Sequence, residues 1–431
     1  MSEASTPSSY IRRFWALAIP ACFAGLLQPL ASFSDIAVLG QVSDANPVAA
    51  VGLASNYFDF AYLSFGFLRM GTTAWLAHWL AEEKGDRFRQ ELVFALVFAA
   101  VAASTLVVVY LIGGSLVSVP AALQIPFWEY TSVRILGAGF AMLNLVVVGY
   151  TIAVEKGKMA LLHALLVHGS NVILNIVAVH VLDLGAQGVA GATVLSQFVG
   201  VLFGVYLIRS ELALSDFYRA FHGNWFARMK GAIELNALLV LRTWLMQGVF
   251  LWAQYTALAE DVVAGAALTI WLRWLSFGSY FLDGLAHGVE GVAGQARKGL
   301  SRSAFHTWIA KVHTLAGGLG LGLGLLVVVG GEPLHRFITQ DSVIIEKAVA
   351  ASYYLPLILL AGGLAYVLDG LSVSLASGVT LIWMVMGGAL GTFIVAQFFA
   401  ADGLLLAVVG LGAFMIGRVV VGVFWTRRLL E

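Results

Sequence analysis

The sequence is divided into apolar stretches that are each long enough to cross a lipid bilayer, for which about 20 residues suffice. We predict twelve spans, near residues 14–40, 50–81, 92–117, 127–153, 159–182, 187–208, 232–258, 263–295, 304–330, 346–376, 379–399 and 403–426. Lipid offers the backbone no hydrogen-bonding partner, so such stretches cross a membrane as helices. Of all residues, 60% are hydrophobic and 11% are charged. No soluble domain needs such a large share of apolar residues. The predicted fold class is all-α integral membrane, with twelve transmembrane helices in two six-helix lobes.

The basic residues fall almost entirely on one set of loops, and this asymmetry predicts the orientation of the chain. The first set of loops holds Arg12, Arg13, Lys84, Arg87, Arg89, Lys156, Lys158, Arg209, Arg219, Arg228, Lys230, Arg297, Lys298, Arg302, Lys311, Arg427 and Arg428. The opposite set holds only Arg336 and Lys347. Because Lys and Arg are retained on the cytoplasmic side, both termini are predicted to be cytoplasmic.

A charged loop at residues 209–231 falls halfway along the chain and indicates a linker between two lobes. The predicted domains are an N-lobe at 1–208, the cytoplasmic linker at 209–231 and a C-lobe at 232–431. A faint internal repeat aligns the segment from Phe67 with the segment from Phe281, at an offset of about 214 residues. Six spans is an even number, so the lobes are expected to be parallel repeats.

The first span carries two prolines and a carboxylic acid, which are unusual in a membrane helix. Pro20 and Pro29 lack the backbone donor, and this predicts a bent helix. An acid such as Asp35 is costly in lipid and is a functional-site candidate by default. Gln28 and Ser32 share one helical face with Asp35. The alternative is a structural acid that hydrogen-bonds neighbouring helices.

A second polar stripe runs along the fifth and sixth spans. His168, Asn171 and Asn175 follow at i, i+3 and i+7, and Thr193 and Gln197 at i and i+4. Such side chains hydrogen-bond between membrane helices, with only about 0.6–2 kcal/mol for each bond. They could simply join helices. Together with a protonatable Asp35, neutral amides supply what a proton site needs, because protonation converts the carboxylate from an acceptor into a donor as well.

Further charged residues lie within or near the predicted spans of the second half. Asp283 and Glu290 share a face at i and i+7, and Asp369 repeats the LDGL context of Asp283. We interpret these acids as a C-lobe polar cluster, for which hydrogen bonding between spans is the simpler explanation. Five arginines also fall within spans: Arg69, Arg134, Arg242, Arg273 and Arg418.

Several function classes are excluded or disfavoured. The formal net charge is zero, so no nucleic-acid partner is expected. No phosphate-binding loop, HExxH motif or cysteine pair is present, so we expect no enzyme activity, cofactor or metal site. The single Cys22 excludes an internal disulfide. The glycine-rich run at 317–324 is typical of close helix packing. A channel would need a polar filter ring.

Six segments resemble the multidrug and toxic compound extrusion (MATE) family, and within it the DinF subfamily. They are ASFSDIAVLGQV, VGLASNYFDFAYLSFGFLRMGTTAWLA, RILGAGFAMLNLVVVGY, SNVILNIVAVHVLDLGAQGVAGATVLSQ, YFLDGLAHGVEGVAGQA and YVLDGL. The likeness covers nearly the whole chain. It implies two six-helix lobes around a cleft that opens to either side of the membrane, and export of organic cations and other drugs against an H⁺ or Na⁺ gradient.

The resemblance also implies roles for particular residues. Asp35 matches the family's proposed coupling acid, and Pro20 is well placed for the debated bending of the first helix. Asn171 and Asn175 match amides of the fifth span. Some relatives carry a second carboxylate where this chain has Asn175, and this departure favours H⁺ over Na⁺.

The sequence therefore predicts a proton-coupled antiporter that exports amphipathic, often cationic, compounds across a bacterial inner membrane. Asp35 would carry the proton, within a hydrogen-bonding shell of Gln28, Ser32, Asn171, Asn175, Thr193 and Gln197. We expect a monomer that contacts membrane lipids. A flippase for lipid-linked precursors, which would need cationic side chains for pyrophosphate, and a Na⁺-coupled exporter are the alternatives.

Overall fold

The computed structural model describes residues 7–42, 44–114, 117–154, 156–211, 225–375, 377–401 and 403–430, and these are helical almost throughout. The helices of the first half are α1 (Pro7–Gly25), α2 (Leu27–Gly40), α3 (Ala45–Leu63), α4 (Phe67–Ala81), α5 (Gly85–Gly113), α6 (Gln124–Arg134), α7 (Ala138–Ala153), α8 (Gly157–Ile176) and α9 (Gly185–Ile208). Those of the second half are α10 (Trp225–Glu260), α11 (Val262–Gly299), α12 (Arg302–Arg336), α13 (Ser342–Ser352), α14 (Leu355–Ser374), α15 (Gly378–Phe398) and α16 (Gly403–Leu430).

Within these described ranges, nine helical segments are long and apolar enough to cross a membrane. They coincide with the predicted spans three to six and eight to twelve. The first and second predicted spans are each built from two shorter helices, and the seventh lies inside α10. The tenth and eleventh predicted spans are also separate, because α14 ends at Ser374 and α15 begins at Gly378. The all-α membrane fold class is therefore confirmed.

The first span is interrupted near its middle by one residue, Leu26, which lies between α1 and α2. Pro29 stands in the first turn of α2, where a missing N–H costs nothing, and it leaves the carbonyl of Gly25 without its usual helical donor. A Cβ built on Gly25 would lie 2.9 Å from the carbonyl oxygen of Tyr280, so this position is close to α11. Pro20 lies inside α1, five residues before the end of that helix.

The chain forms two compact units, which are Met1–Leu53 with Leu245–Glu431, and Ala54–Trp244. The boundaries fall within α3 and α10. Most of the predicted linker at 209–231 lies outside the described residues, so the division into lobes at that loop stays a prediction.

In the unit that contains both ends of the described chain, glycines allow helices to approach closely. A Cβ on Gly284 of α11 would overlap the backbone of Cys22 in α1. A Cβ on Gly320 of α12 would overlap the carbonyl of Leu359 in α14. Close helix packing, predicted for the glycine-rich run at 317–324, is thus confirmed at Gly320.

The ninth span ends at a kink in α12. Gly331 has a φ of +44° and a ψ of −137°, a conformation that residues with a Cβ rarely adopt. The side chain of His335 follows the kink, with Nδ1 2.8 Å from the Gly331 carbonyl and Nε2 3.2 Å from Ser352 Oγ. The predicted span at 304–330 stops where the helix changes direction.

Three charged residues form an ionic contact in this same unit, at the junction between α10 and α11. Lys347 Nζ of α13 lies 2.6 Å from Glu260 Oε1 and 2.8 Å from Asp261 Oδ2. Asp261 also caps α11 by accepting a 2.6 Å hydrogen bond from the amide of Ala264. Glu260 Oε2 accepts the amide of Leu404 at the start of α16, at 2.8 Å. Lys347, Glu260 and Asp261 together therefore connect four helices, α10, α11, α13 and α16.

In the unit Ala54–Trp244, α4, α5, α7, α8 and α9 pack against one another. Rings fill the space between α4 and α5, where Phe67 and Phe98 lie 5.8 Å apart between ring centres. A Cβ on Gly149 of α7 would lie 2.8 Å from the Thr72 side chain and from the Arg69 carbonyl, so α7 also approaches α4 closely. This packing holds α7 beside α8 and α9, which carry the polar stripe.

Candidate functional site

The polar stripe of the fifth and sixth spans forms a buried hydrogen-bonded group in the unit Ala54–Trp244. Asn171 Nδ2 of α8 donates to Thr193 Oγ1 of α9 at 3.2 Å. Asn175 Nδ2 donates to Asn171 Oδ1 at 3.3 Å. Both asparagines are buried, at 2% and 0% exposure. The structure therefore joins three of the predicted shell residues in one network.

A second hydrogen-bonded group on the same helices includes the backbone of Gln197 and a residue that sequence reasoning missed. Asn144 of α7 donates from Nδ2 to the Gln197 carbonyl at 2.9 Å, and its Oδ1 lies 2.9 Å from His163 Nε2. The Gln197 side-chain oxygen is buried and has no hydrogen-bond partner among the described residues. Asn144 is the only amide side chain in α7, and this isolation in an apolar helix was the available signal. His168, the histidine of the predicted stripe, is half-buried.

The backbone changes form directly after Asn175. Residues Val177–Val181 form one π-helical turn, in which the amide of Leu182 donates to the carbonyl of Val177 at 3.0 Å. Asp183 then has a φ of +54° and Gly185 a φ of +50°. Single π-helical turns are rare in proteins, and many of those that occur lie at functional sites. The amide pair thus lies where the regular helix ends.

Asp35 lies on α2, in the part of the first span that follows the interruption at Leu26. Its side chain is half-buried, as is that of Ser32. The neighbouring Ser34 is buried and donates to the Ala31 carbonyl at 2.8 Å. The side chain of Gln28 lies outside the described residues. Asp35 and the asparagines belong to different units, so their predicted meeting stays a prediction.

The acids of the predicted C-lobe cluster have two different sets of partners. Asp369 is buried, and its Oδ2 accepts a 2.6 Å hydrogen bond from Arg418 Nη2. Asp283 and Glu290 are about half-exposed and flank His287 on α11, with His287 Nε2 3.6 Å from Asp283 and Nδ1 3.3 Å from Glu290. His287, which sequence reasoning missed, stands between the two acids at i+4 and i−3.

Arg134 shows how a cation is accommodated inside the unit Ala54–Trp244. It is only 8% exposed. Its guanidinium carbon lies 5.4 Å from the Phe58 ring centre and 5.0 Å from that of Tyr62, and Nη1 donates to the Tyr62 hydroxyl at 3.4 Å. Aromatic faces attract such cations. The rings of α3 therefore hold this arginine.

Residues 20–177, which include Asp35, Asn144 and Asn171, match the model of the MatE family. The chain is also 26% identical over 379 residues to DNA damage-inducible protein F of Escherichia coli (strain K12), covering 84% of this chain and 80% of that protein. The chain is thus similar to the MatE family over residues 20–177, and to this E. coli protein over most of its length. A further MatE-like relative is Protein DETOXIFICATION 44, chloroplastic, of Arabidopsis thaliana, at 22% identity over 429 residues, with 94% of this chain and 80% of that protein covered.

Solved structures of MATE transporters share the fold of this chain. An inward-facing multidrug resistance MATE family transporter of the MOP superfamily matches with a TM-score of 0.84 at 18% identity, covering 96% of this chain and 98% of that one. An outward-facing one matches with a TM-score of 0.71 at 20% identity, covering 100% and 98%. The resemblance inferred from the sequence is thereby confirmed, and the fold is that of solved MATE transporters.

Proposed function

We propose that this MatE protein is a proton-coupled antiporter that exports small organic, often cationic, compounds by alternating access. The observation that carries the proposal is Asp35, a half-buried carboxylic acid on a helix that restarts after an interruption in the first span. An ionised acid in such a place is costly, and protonation removes that cost. Asp35 is therefore the group that we assign to proton binding and release.

The buried amides supply partners that suit both states of the acid. An asparagine side chain offers donors to a carboxylate and an acceptor to a carboxylic acid. In our proposal Asn171 and Asn175 serve Asp35 in this way, with Thr193 and Gln197 as their support. Asn175 is neutral where some relatives carry a second carboxylate, which favours H⁺ over Na⁺ as the coupling ion.

Exchange requires that proton and substrate prefer different conformations or compete for one site, since a ligand shifts an equilibrium only through differential affinity. Protonation of Asp35 would allow the polar network to re-pair and would move α2 relative to α1 about Leu26. Similarity to both an inward-facing and an outward-facing transporter supports alternating access for this fold.

Two arginines argue for cation export over transfer of an anionic lipid precursor. A pyrophosphate cargo would need cationic groups to bind it. Arg418 is engaged by Asp369, and Arg134 lies against Phe58 and Tyr62. Similarity to the E. coli protein supports a bacterial inner membrane, and the charge asymmetry supports cytoplasmic termini. We further propose that the protein acts as a monomer among membrane lipids.

The deciding experiment is ethidium efflux in everted membrane vesicles, with Na⁺ and pH varied independently. Proton coupling predicts that ethidium moves only with an imposed pH gradient and that Na⁺ alone has no effect. Movement driven by a Na⁺ gradient at fixed pH would show the Na⁺-coupled alternative. Vesicles that contain the Asp35→Asn variant are the matched control. Ethidium movement that neither gradient drives would contradict the proposal.

A further inference from the structure

His163 is a buried histidine that the proposed proton cycle does not use. It lies on α8, two helical turns before Asn171, and it is 3% exposed. Its Nε2 is 2.9 Å from Asn144 Oδ1. A buried polar ring without a partner would be costly, so this contact accounts for its presence in an apolar helix.

The amide of Asn144 fixes which ring nitrogen carries the hydrogen. Its Nδ2 lies 2.9 Å from the backbone carbonyl of Gln197, and a carbonyl only accepts hydrogen bonds. The nitrogen of the amide must therefore face Gln197, and Oδ1 must face the histidine. Because Oδ1 is an acceptor, Nε2 of His163 must be the donor. The neutral ring is thus held as the Nε2–H tautomer.

A second observation shows that space is provided for this arrangement. A Cβ built on Gly200 of α9 would lie 2.8 Å from Asn144 Oδ1 and would overlap the Val167 side chain. Glycine at this position lets the Asn144 amide fit between α7 and α9. Any larger residue would push the amide away from the Gln197 carbonyl.

We propose that His163 is a positioning residue for the polar network of this transporter. By fixing Asn144, it ties α7 to α9 at Gln197, one turn from Thr193, the partner of Asn171. The proposal rests on the proposed function, since the network matters for transport only if it serves a proton site. His163 acts as a hydrogen-bond donor in it and carries no transported proton.

The surroundings of His163 fit that role. Among the residues that the structure describes, His168 on the same helix is the titratable side chain that acts on it electrostatically. From α7 it is met by the Asn144 amide, and from α9 by the Phe203 ring, whose centre is 6.4 Å away. Neither of these two groups titrates.

The test compares His163→Gln, which retains a side-chain N–H donor, with His163→Leu, which has none. The readout is the pH at which ethidium efflux is half-maximal. The Leu variant should shift it by about half a unit or more, as expected when a hydrogen-bonded network is disordered. The Gln variant should keep the wild-type value. An unshifted Leu variant, or a Gln variant that behaves like Leu, would overturn the proposal.

Two further measurements separate this proposal from the proposed function. In a double-mutant cycle, Asn144→Leu should add no further shift to His163→Leu, because the proposal has His163 and the α7–α9 connection both depend on a fixed Asn144. Additive shifts would contradict the proposal, and His306→Leu, at an exposed position, is the control. Imidazole ¹⁵N spectra do not depend on transport. The ring resonances that are present in the wild-type protein and lost in His163→Gln belong to His163, and they should show the Nε2–H tautomer. Resonances of the Nδ1–H tautomer would overturn the proposal even if wild-type efflux is proton-coupled.

Discussion

Arg418 and Asp369 form an ion pair in the interior of the unit that contains both ends of the described chain. Arg418 Nη2 lies 2.6 Å from Asp369 Oδ2, and the two side chains are 1% and 11% exposed. The pair joins α16 to α14. The ring centres of Tyr366 and Phe414 lie 5.2 Å and 5.7 Å from the guanidinium carbon. Each charge is thus accommodated only because the other is present.

Removal of one partner should therefore be far more damaging than removal of both. Arg418→Met alone should lower the free energy of unfolding by about 3–5 kcal/mol, because a buried carboxylate is left without its cation. The double variant Arg418→Met with Asp369→Leu should recover most of that loss. Thermal unfolding in detergent measures both, with the exposed Arg428→Met as control. Equal melting temperatures for the single and double variants would contradict this prediction.

The span pattern was predictable because hydropathy is a local property, whereas interruptions and partners were predictable only in part. Pro29 indicated the break in the first span, but the turn at residues 64–66 in the second has no comparable signal. Residues 346–376 were predicted as one span. The structure divides them into α13 and α14 at Tyr353 and Tyr354, just before Pro356.

Partners across helices depend on the rotation and packing of each helix, which the sequence does not state. Asp369 and Arg418 are 49 residues apart and were recognised only as separate charges. Asn144 is the one amide side chain of α7, and His163 lies outside the i, i+3, i+7 stripe of α8, so no periodicity marked them. The i, i+4 stripes were visible in the sequence, and the structure links Asn171 to Thr193. The role of that stripe in proton binding stays a prediction.

Close approach of α1 to α11 makes Gly284 intolerant of any side chain. A Cβ there would overlap the Cys22 backbone, which cannot move aside as a flexible side chain could. Gly284→Ala should therefore destabilise the protein, by about 1–3 kcal/mol for an overpacked interior site. Gly318→Ala is the matched control, since a Cβ there meets nothing within 4 Å. That control should be neutral or slightly stabilising, because alanine favours helices over glycine. Equal melting temperatures for both variants would contradict the packing.

The contact of Lys347 with Glu260 and Asp261 predicts how stability depends on pH. Burial opposes ionisation of Asp261, but hydrogen bonds from Lys347 and from backbone amides outweigh it and lower the Asp261 pKa below 3.8. Burial likewise disfavours the Lys347 cation, but its bonds to the two carboxylates raise the Lys347 pKa above 10.5. Asp261 therefore contributes stability above pH 3.8 that is lost as pH falls through its lowered pKa. Lys347 contributes stability below pH 10.5 that is lost as pH rises through its raised pKa.

Lys347→Met should remove this stabilisation, which is about 1 kcal/mol or less because Asp261 is 46% exposed. The difference in melting temperature from wild type should be constant across neutral pH. It should begin to shrink as pH falls below 3.8 and should disappear as pH falls through the lowered pKa of Asp261, at which this carboxylate becomes protonated in the folded wild type. Lys158→Met, at an exposed position of α8, is the control. A difference that persists unchanged in acid would show that the ionic contact is not its cause.

The distribution of basic residues predicts the orientation of the chain. Reporter fusions after Lys84, Lys158, Lys230 and Lys298 should all report the cytoplasm, because Lys and Arg are retained on that side. Fusions near Arg336 should report the opposite side. A clear opposite-side signal after any one of the four lysines would contradict the twelve-span orientation.

Replacement of Asp35 by asparagine tests the centre of the proposed mechanism. The variant keeps the approximate size of the side chain and, like the protonated acid, offers both a donor and an acceptor, but it can neither titrate nor carry a charge. Asp35→Asn should reach the membrane at wild-type levels and should lose proton-driven ethidium efflux. Asn175→Asp is the complementary variant, because it adds a second titrating group to the buried amide pair and should change the pH profile of efflux. If Asp35→Asn retains full efflux with an unchanged pH dependence, another group carries the proton and Asp35 has only a structural role.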